Sequence, residues 1–158
     1  MITPQEVFMR AAIEVAKESR QKGDYAIGAI VVKEGEIIAR GNNRSRIDSD
    51  PTQHSEMVAI RAATKFLGSR HIKGCVLYTT HEPCPMCAAA VVWAKMDGVV
   101  SGATIEDMAG YHEKNQESEW TWRTIHISAA EVFAKAVPDK PQIVEGFMRD
   151  ECKELFHS

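Results

Sequence analysis

Val7, Phe8, Ala11, Ala12, Val15 and Ala16 recur at the three- and four-residue spacing that lines one face of a helix. Thr3-Pro4-Gln5-Glu6 precedes them with a capping residue, a proline at the first helical position and a glutamate three after the cap, which predicts a first helix ending near Lys22-Gly23. Residues 27–32 and 36–39 are apolar and rich in β-branched side chains, and Lys33-Glu34-Gly35 between them predicts a β-hairpin. The polar run 41–52 is expected to be a loop leading to a second helix over 53–67. A third strand is expected over 75–79, a third helix over 84–95 and a short strand over 99–101. Beyond Ile105 the periodicity fades: Tyr111, Trp120 and Trp122 sit among polar residues, 128–136 reads as a helix, 141–146 as a short strand and 147–156 as a last helix. Alternating strands and helices of this kind predict an α/β fold with a sheet covered on both faces and at least one parallel crossover.

The length of 158 residues suits one domain spanning 1–158 with a substantial core. Charge is nearly balanced, 19 Lys plus Arg against 22 Asp plus Glu, with no basic run. That balance lacks the electrostatic footprint of a protein held to nucleic acid by its phosphates, so a small-molecule substrate is expected and nucleic acid is not. No apolar stretch approaches membrane-spanning length and no signal-peptide pattern opens the chain, so a cytoplasmic protein without a membrane partner is expected. Of the four cysteines, Cys84 and Cys87 stand at metal-ligand spacing, whereas Cys75 and Cys152 read as reduced, buried thiols.

The chemistry is concentrated in His54-Ser55-Glu56 and Pro83-Cys84-Pro85-Met86-Cys87. A catalytic zinc takes three protein ligands and keeps a fourth position for water; His54, Cys84 and Cys87 supply the three, for one Zn2+ per subunit. Both motifs fall at expected helix starts, where exposed N–H groups help to stabilise thiolate charge. Zinc brings the pKa of its water toward neutrality. Glu56, two residues after His54, is placed to carry protons without ligating the metal. A lone Cys-x-x-Cys is compatible with a structural zinc site or a redox pair; a structural zinc wants a fourth ligand, and His81, read as a polar turn residue, is the candidate to exclude. His-x-Glu followed by Pro-Cys-x-x-Cys is the general signature of zinc-dependent nucleobase deaminases, and the chain matches it.

At these motifs the chain resembles the cytidine and deoxycytidylate deaminase superfamily from about Gly28 through Gly102. Asp50-Pro51-Thr52-Gln53-His54-Ser55-Glu56 and Glu82-Pro83-Cys84-Pro85-Met86-Cys87 are similar to the branch containing guanine deaminases, tRNA adenosine deaminases and cytosine deaminases. The resemblance implies a three-layer αβα sandwich around a five-stranded mixed β-sheet, and a homodimer. It implies a substrate-binding role for Asn43 and places Ser55 and Pro83, within the two motifs, beside the substrate. Val92-Trp93-Ala94-Lys95 is similar to a stretch of guanine deaminases, which gives Trp93 a pocket role as the alternative to a core aromatic. Gly110-Tyr111-His112-Glu113 offers Glu113 as the acid that engages the base's N–H edge, the alternative being an exposed glutamate. Guanine deaminases usually end in an aromatic residue that reaches a pocket, whereas here the last such residues are Phe156 and His157. Trp120 and Trp122 are read as a lid over the base, as subunit-interface anchors or as core.

These readings put hydrolytic deamination of a nucleobase or small nucleoside first, with guanine as the leading substrate. The alternative is a tRNA-specific adenosine deaminase. It is disfavoured because residues 139–158 hold three basic side chains (Lys140, Arg149, Lys153) against five acids (Asp139, Glu145, Asp150, Glu151, Glu154). Deamination of cytosine or another amino-heterocycle, and a non-catalytic zinc module, remain further alternatives; Glu56 argues against the last, since a structural site has no use for it.

Overall fold

A computed structural model describes residues 1–158. In chain order the elements are α1 (Glu6–Gln21), β1 (Gly28–Lys33), β2 (Glu36–Asn42), α2 (Ser55–Leu67), β3 (Cys75–His81), α3 (Pro85–Trp93), β4 (Gly98–Ala103), α4 (Ile105–Lys114), α5 (Ala129–Ala134), β5 (Gln142–Val144) and α6 (Arg149–Glu154), followed by a 3₁₀ turn over Leu155–His157. The sheet has five strands in the order β2-β1-β3-β4-β5. β1 runs antiparallel to β2 and β3, while β3, β4 and β5 are parallel, the expected mixed sheet.

Period-two alternation sorts the strand side chains into two cores. Ile30, Val32, Tyr78 and Val100 face one way and meet Met9, Ala12 and Ala16 of α1 together with Met108, Cys152 and Phe156. Ala29, Val31, Leu77 and Val99 face the other way and meet Ala59 and Ala63 of α2, Ala88 and Val91 of α3, and Phe133 of α5. The product is the αβα sandwich. Cys75 and Cys152 are free and buried, as expected. No helix is long and apolar enough to cross a membrane.

Several expectations shift. Thr3 does not cap α1; Gln5 occupies the N-cap and makes no side-chain cap bond. β2 continues to Asn42, so the loop begins later than the polar run suggests. α4 is an additional helix in the segment where periodicity fades, and Thr104 and Asp107 form a reciprocal capping box at its start.

One close approach seats α2, and a left-handed glycine ends it. Gly41 of β2 lies under α2: a Cβ there would fall 2.2 Å from the Ser55 carbonyl oxygen and 2.5 Å from the Ala59 amide. Gly68, in the left-handed region at φ 65°, closes the same helix at its far end. Gly41→Ala is therefore expected to cost about 3 kcal/mol or more by overpacking backbone that cannot yield, read as a lowered denaturation midpoint; a variant as stable as the parent would refute the contact.

Asp107 also ties α4 to α6, receiving two bonds from Arg149 at 2.8 and 2.6 Å, with its side chain 6% exposed. Burial works to raise this carboxyl, but Arg149 and the Thr104 amide outweigh it and hold it at about 2. Its folded value lies below the unfolded one near 4, so its contribution is present above about pH 4 and is lost as pH falls toward about 2. Arg149→Ala should flatten that acid limb, measured as denaturation midpoint against pH; an unchanged limb would count against the pairing.

Candidate metal centre

α2 and α3 begin at the same place. His54 is the N-cap of α2, Cys84 is the N-cap of α3 with Pro85 following at its first position, and Cys87 lies one turn further in. His54 Nδ1 is 3.5 Å from Cys84 Sγ and 3.6 Å from Cys87 Sγ. A tetrahedral zinc with ordinary Zn–S and Zn–N bonds sets sulfur and nitrogen about 3.6 Å apart. All three donor atoms lie within 4.8 Å of one another, so the donor set fits that ion as it stands. The Cys87 thiol, donating to Cys84, holds the latter down to about 4, against burial and with help from His54; Cys87 itself is pushed up. The site thus holds one thiolate in advance and gives up a second proton on metal binding.

Glu56 is 4% exposed. Its Oε2 lies 3.7 Å from Cys87 Sγ, and its Oε1 is 3.1 Å from Thr79 Oγ1, whose single hydrogen is shared with the His81 carbonyl at 2.9 Å. Burial pushes the Glu56 carboxyl up to about 7, against the pull of His54. A carboxyl with that poise, beside the donor set but outside it, can take up and give back a proton near neutrality.

His54, Glu56 and Cys84 open onto a cavity of about 830 Å³. Asn43 forms part of its wall and is 2% exposed. Its amide N–H groups donate to Asp24 Oδ1 at 2.7 Å and Ser45 Oγ at 3.0 Å, and its Oδ1 accepts from the Ser55 amide at 3.2 Å. One lone pair on Oδ1 is left for a ligand.

Four predicted contacts lie elsewhere. The Ser55 hydroxyl is buried and donates to the Ile27 carbonyl at 2.5 Å, which takes it off the cavity wall. Pro83 is buried behind the start of α3 and does not line the cavity. Trp93, 77% exposed, stands at the far end of the nine-residue α3 and lines a separate groove with Val137. The length of that helix, about 13 Å, keeps it from the cavity of its own chain. Glu113 is exposed on α4, as is its neighbour His112, whose Nδ1 lies 2.6 Å from Thr121 Oγ1.

Other residues take those places. Tyr25, Arg46, His81, Trp122 and Arg123 line the cavity. His81 is 7% exposed and forms wall, not turn; burial pushes it down to about 4, so it is neutral, and it stands outside the donor set. Trp122 packs as the core reading has it, with its ring on Phe156 and Tyr25, and it also forms part of the cavity wall. In the sequence Arg46 is legible only as one basic residue in a polar run close to His54.

The family model for the cytidine and deoxycytidylate deaminase zinc-binding region matches residues 2–103. The chain belongs to this family, and His54, Cys84 and Cys87 form its candidate zinc site. It is 45% identical over 102 residues to the tRNA-specific adenosine deaminase of Bacillus subtilis (strain 168), a match covering 65% of this chain and 63% of that one. To the guanine deaminase of the same organism it is 43% identical over 105 residues, 66% of this chain and 67% of that one. A solved structure from studies of A-to-I editing by tRNA:A34 deaminases at the wobble position of transfer RNA superposes with a TM-score of 0.77 at 30% identity, over 96% of this chain and 99% of that one. The expectation that nucleic acid is no partner is thereby overturned: relatives with this fold are tRNA-directed by name, and net charge, an average over the whole surface, does not exclude it.

Purified protein is expected to hold about one equivalent of zinc. Cys87→Ser should lose most of it on dialysis against a weak chelator while Trp93→Ala keeps it, read by elemental analysis; full retention by Cys87→Ser would remove Cys87 from the ligand set.

Proposed function

We propose that the chain is a zinc-dependent aminohydrolase that converts adenosine in tRNA to inosine, with release of ammonia. The observation that carries this reading is the similarity to the tRNA:A34 deaminase structure, which extends over 96% of the chain, well past the metal motifs. The cavity is compatible with it: Tyr25 and Trp122 offer aromatic surface to a base taken out of its stack, while Arg46 and Arg123 offer charge to flanking phosphates. Guanine is the second reading, favoured by the 43% identical guanine deaminase. It no longer leads, because Trp93 and Glu113, which motivated it, lie outside the cavity.

The reaction adds water across the C6–N1 bond of the purine and then expels the amine, leaving a carbonyl. His54, Cys84 and Cys87 would hold the zinc, which when bound supplies Lewis-acid activation of a water near neutral pH. Glu56 takes a proton from the attacking water and passes it to the ring nitrogen beside the attacked carbon; it then takes the remaining proton of the added hydroxyl and passes it to the departing amine, ending in the state in which it began. Burial matters to this cycle because it holds the carboxyl near its switching point, about 7. Asn43 uses the free lone pair of Oδ1 to orient the base, and the bonds from Asp24, Ser45 and Ser55 keep that amide from rotating.

Glu56→Gln keeps the shape of the side chain and removes the proton carrier. Its turnover should fall about 10²- to 10⁴-fold with zinc content unchanged; unaltered ammonia release would dismiss the assignment. An anticodon stem-loop assayed for inosine beside guanine assayed for xanthine separates the two substrates: turnover of guanine with no inosine formed would overturn the tRNA reading.

A further inference from the structure

Two residues that line the cavity each carry a buried polar atom with no partner within the chain: His81 Nε2 and the indole Nε1 of Trp122. Their rings meet edge to face, with centroids 5.2 Å apart and planes at 81°. His81 Nδ1 lies 2.9 Å from the Glu82 carbonyl oxygen, which can only accept. Nδ1 therefore carries the hydrogen of the neutral ring, and Nε2 holds an open lone pair. The indole N–H is a donor only. One acceptor and one donor thus sit on touching rings, and the aromatic neighbour they share, Phe156, can satisfy neither.

Packing does not account for the pair. A leucine at position 81 or a phenylalanine at position 122 would fill comparable space without leaving an unpaired polar atom, which burial penalises. The third unpartnered atom, Arg20 Nε, belongs to a guanidinium stacked 3.5 Å from the centre of the Trp120 ring and is not in this wall. What His81 and Trp122 share is a place in the lining of the cavity, alongside Glu56, His54 and Cys84.

A ligand that meets both atoms must give one hydrogen and take another. Three groups on purine substrates do so: a ribose hydroxyl, the adjacent N–H and C=O of an oxopurine such as guanine, and the amine of adenine with N1 or N7 beside it. Both adenine edges use the exocyclic amine, which is the group that departs beside Glu56 and the metal ligands, so the tRNA adenosine reading, on which this step rests, leaves the hydroxyl. We infer that His81 and Trp122 form a subsite for the 2′-hydroxyl of the target nucleotide, Nε2 accepting its hydrogen and the indole N–H donating to its oxygen. The pair then selects ribose over deoxyribose, a distinction that the base cannot supply.

The test uses zinc-loaded protein and two anticodon stem-loops, one with adenosine and one with 2′-deoxyadenosine at the target position. The parent should prefer the ribose form by about ten- to a hundredfold in kcat/KM, the difference residing in KM. His81→Leu should bring the two substrates level by losing only the ribose preference, with zinc content and Tm retained. His81→Gln, which restores an acceptor, should recover part of it, and Trp122→Phe should weaken it. A parent that treats both substrates alike, or a His81→Leu protein that still discriminates, overturns the subsite. If neither stem-loop is turned over but free adenosine is, the tRNA reading falls while the adenosine to 2′-deoxyadenosine ratio decides the subsite by the same criterion. If guanine is the substrate and His81→Leu raises its KM, the pair reads an oxopurine edge and the hydroxyl assignment is wrong.

Discussion

Three ligand atoms from two helix starts must fall within one coordination sphere, and much of the fold can be understood as the means of holding them there. α3 springs directly from the end of β3, a central strand, so Cys84 and Cys87 inherit the rigidity of the sheet. α2 arrives by a longer route and is seated by the absence of a side chain at Gly41, which lets the Ser55 carbonyl lie against the strand. Helix starts carry partial positive charge and unsatisfied N–H groups, so bringing two together is favourable only if negative charge fills the gap. Thiolates and a carboxylate supply it. The same convergence excludes water from Glu56 and so gives that carboxyl its raised proton affinity.

Glu82 extends this arrangement to the second half of the chain. Directly before Pro83 and Cys84, it is 5% exposed and accepts from the Ile105 amide at 3.2 Å and the Ala129 amide at 3.1 Å. One buried carboxylate thus joins the first residues of α4 and α5 to the metal motif. Burial alone would favour its neutral form, which the two amides oppose. The chain between those helices carries Thr121 and Trp122 across the cavity, so the wall facing the metal is positioned from the motif itself.

The sequence is most legible where local pattern and burial agree. The continuous apolar run of residues 27–32 marks a strand buried on both faces and the apolar positions of α1 and α2 mark one face each, so the strands and helices fall within a few residues of expectation. Cap chemistry is a weaker guide. Thr3 has the residue type of a cap and is not one, whereas Thr104 with Asp107 is a cap that the sparse apolar positions of α4 do not advertise. His54, Cys84 and Cys87 can be paired from spacing because metal chemistry restricts donor types so strongly. The cavity wall imposes no such restriction. His81, Arg46 and Trp122 come from a strand end, a loop and an irregular segment, and only tertiary packing brings them together. Trp93 and Glu113 fail for the complementary reason: similarity in local sequence fixes their identity but not the direction in which the helix turns them.

Net charge misleads through distance. At physiological ionic strength a charge is screened over about 8 Å, so a phosphate at the cavity mouth responds to the side chains within that reach and not to acids on the far face. Around Trp120 those side chains are arginines: Arg20 lies 3.5 Å and Arg46 4.2 Å from the ring centre, and Arg46 also lies 5.6 Å from the Tyr25 ring. Stacking on aromatic rings keeps a guanidinium in place, and Arg46 is held further by Glu119, donating to its carbonyl at 3.3 Å and lying 3.9 Å from its carboxylate. A surplus of three acids over the whole chain therefore does not describe the cavity, whose lining sets Arg46 and Arg123 beside Asp50, Glu56 and Glu82.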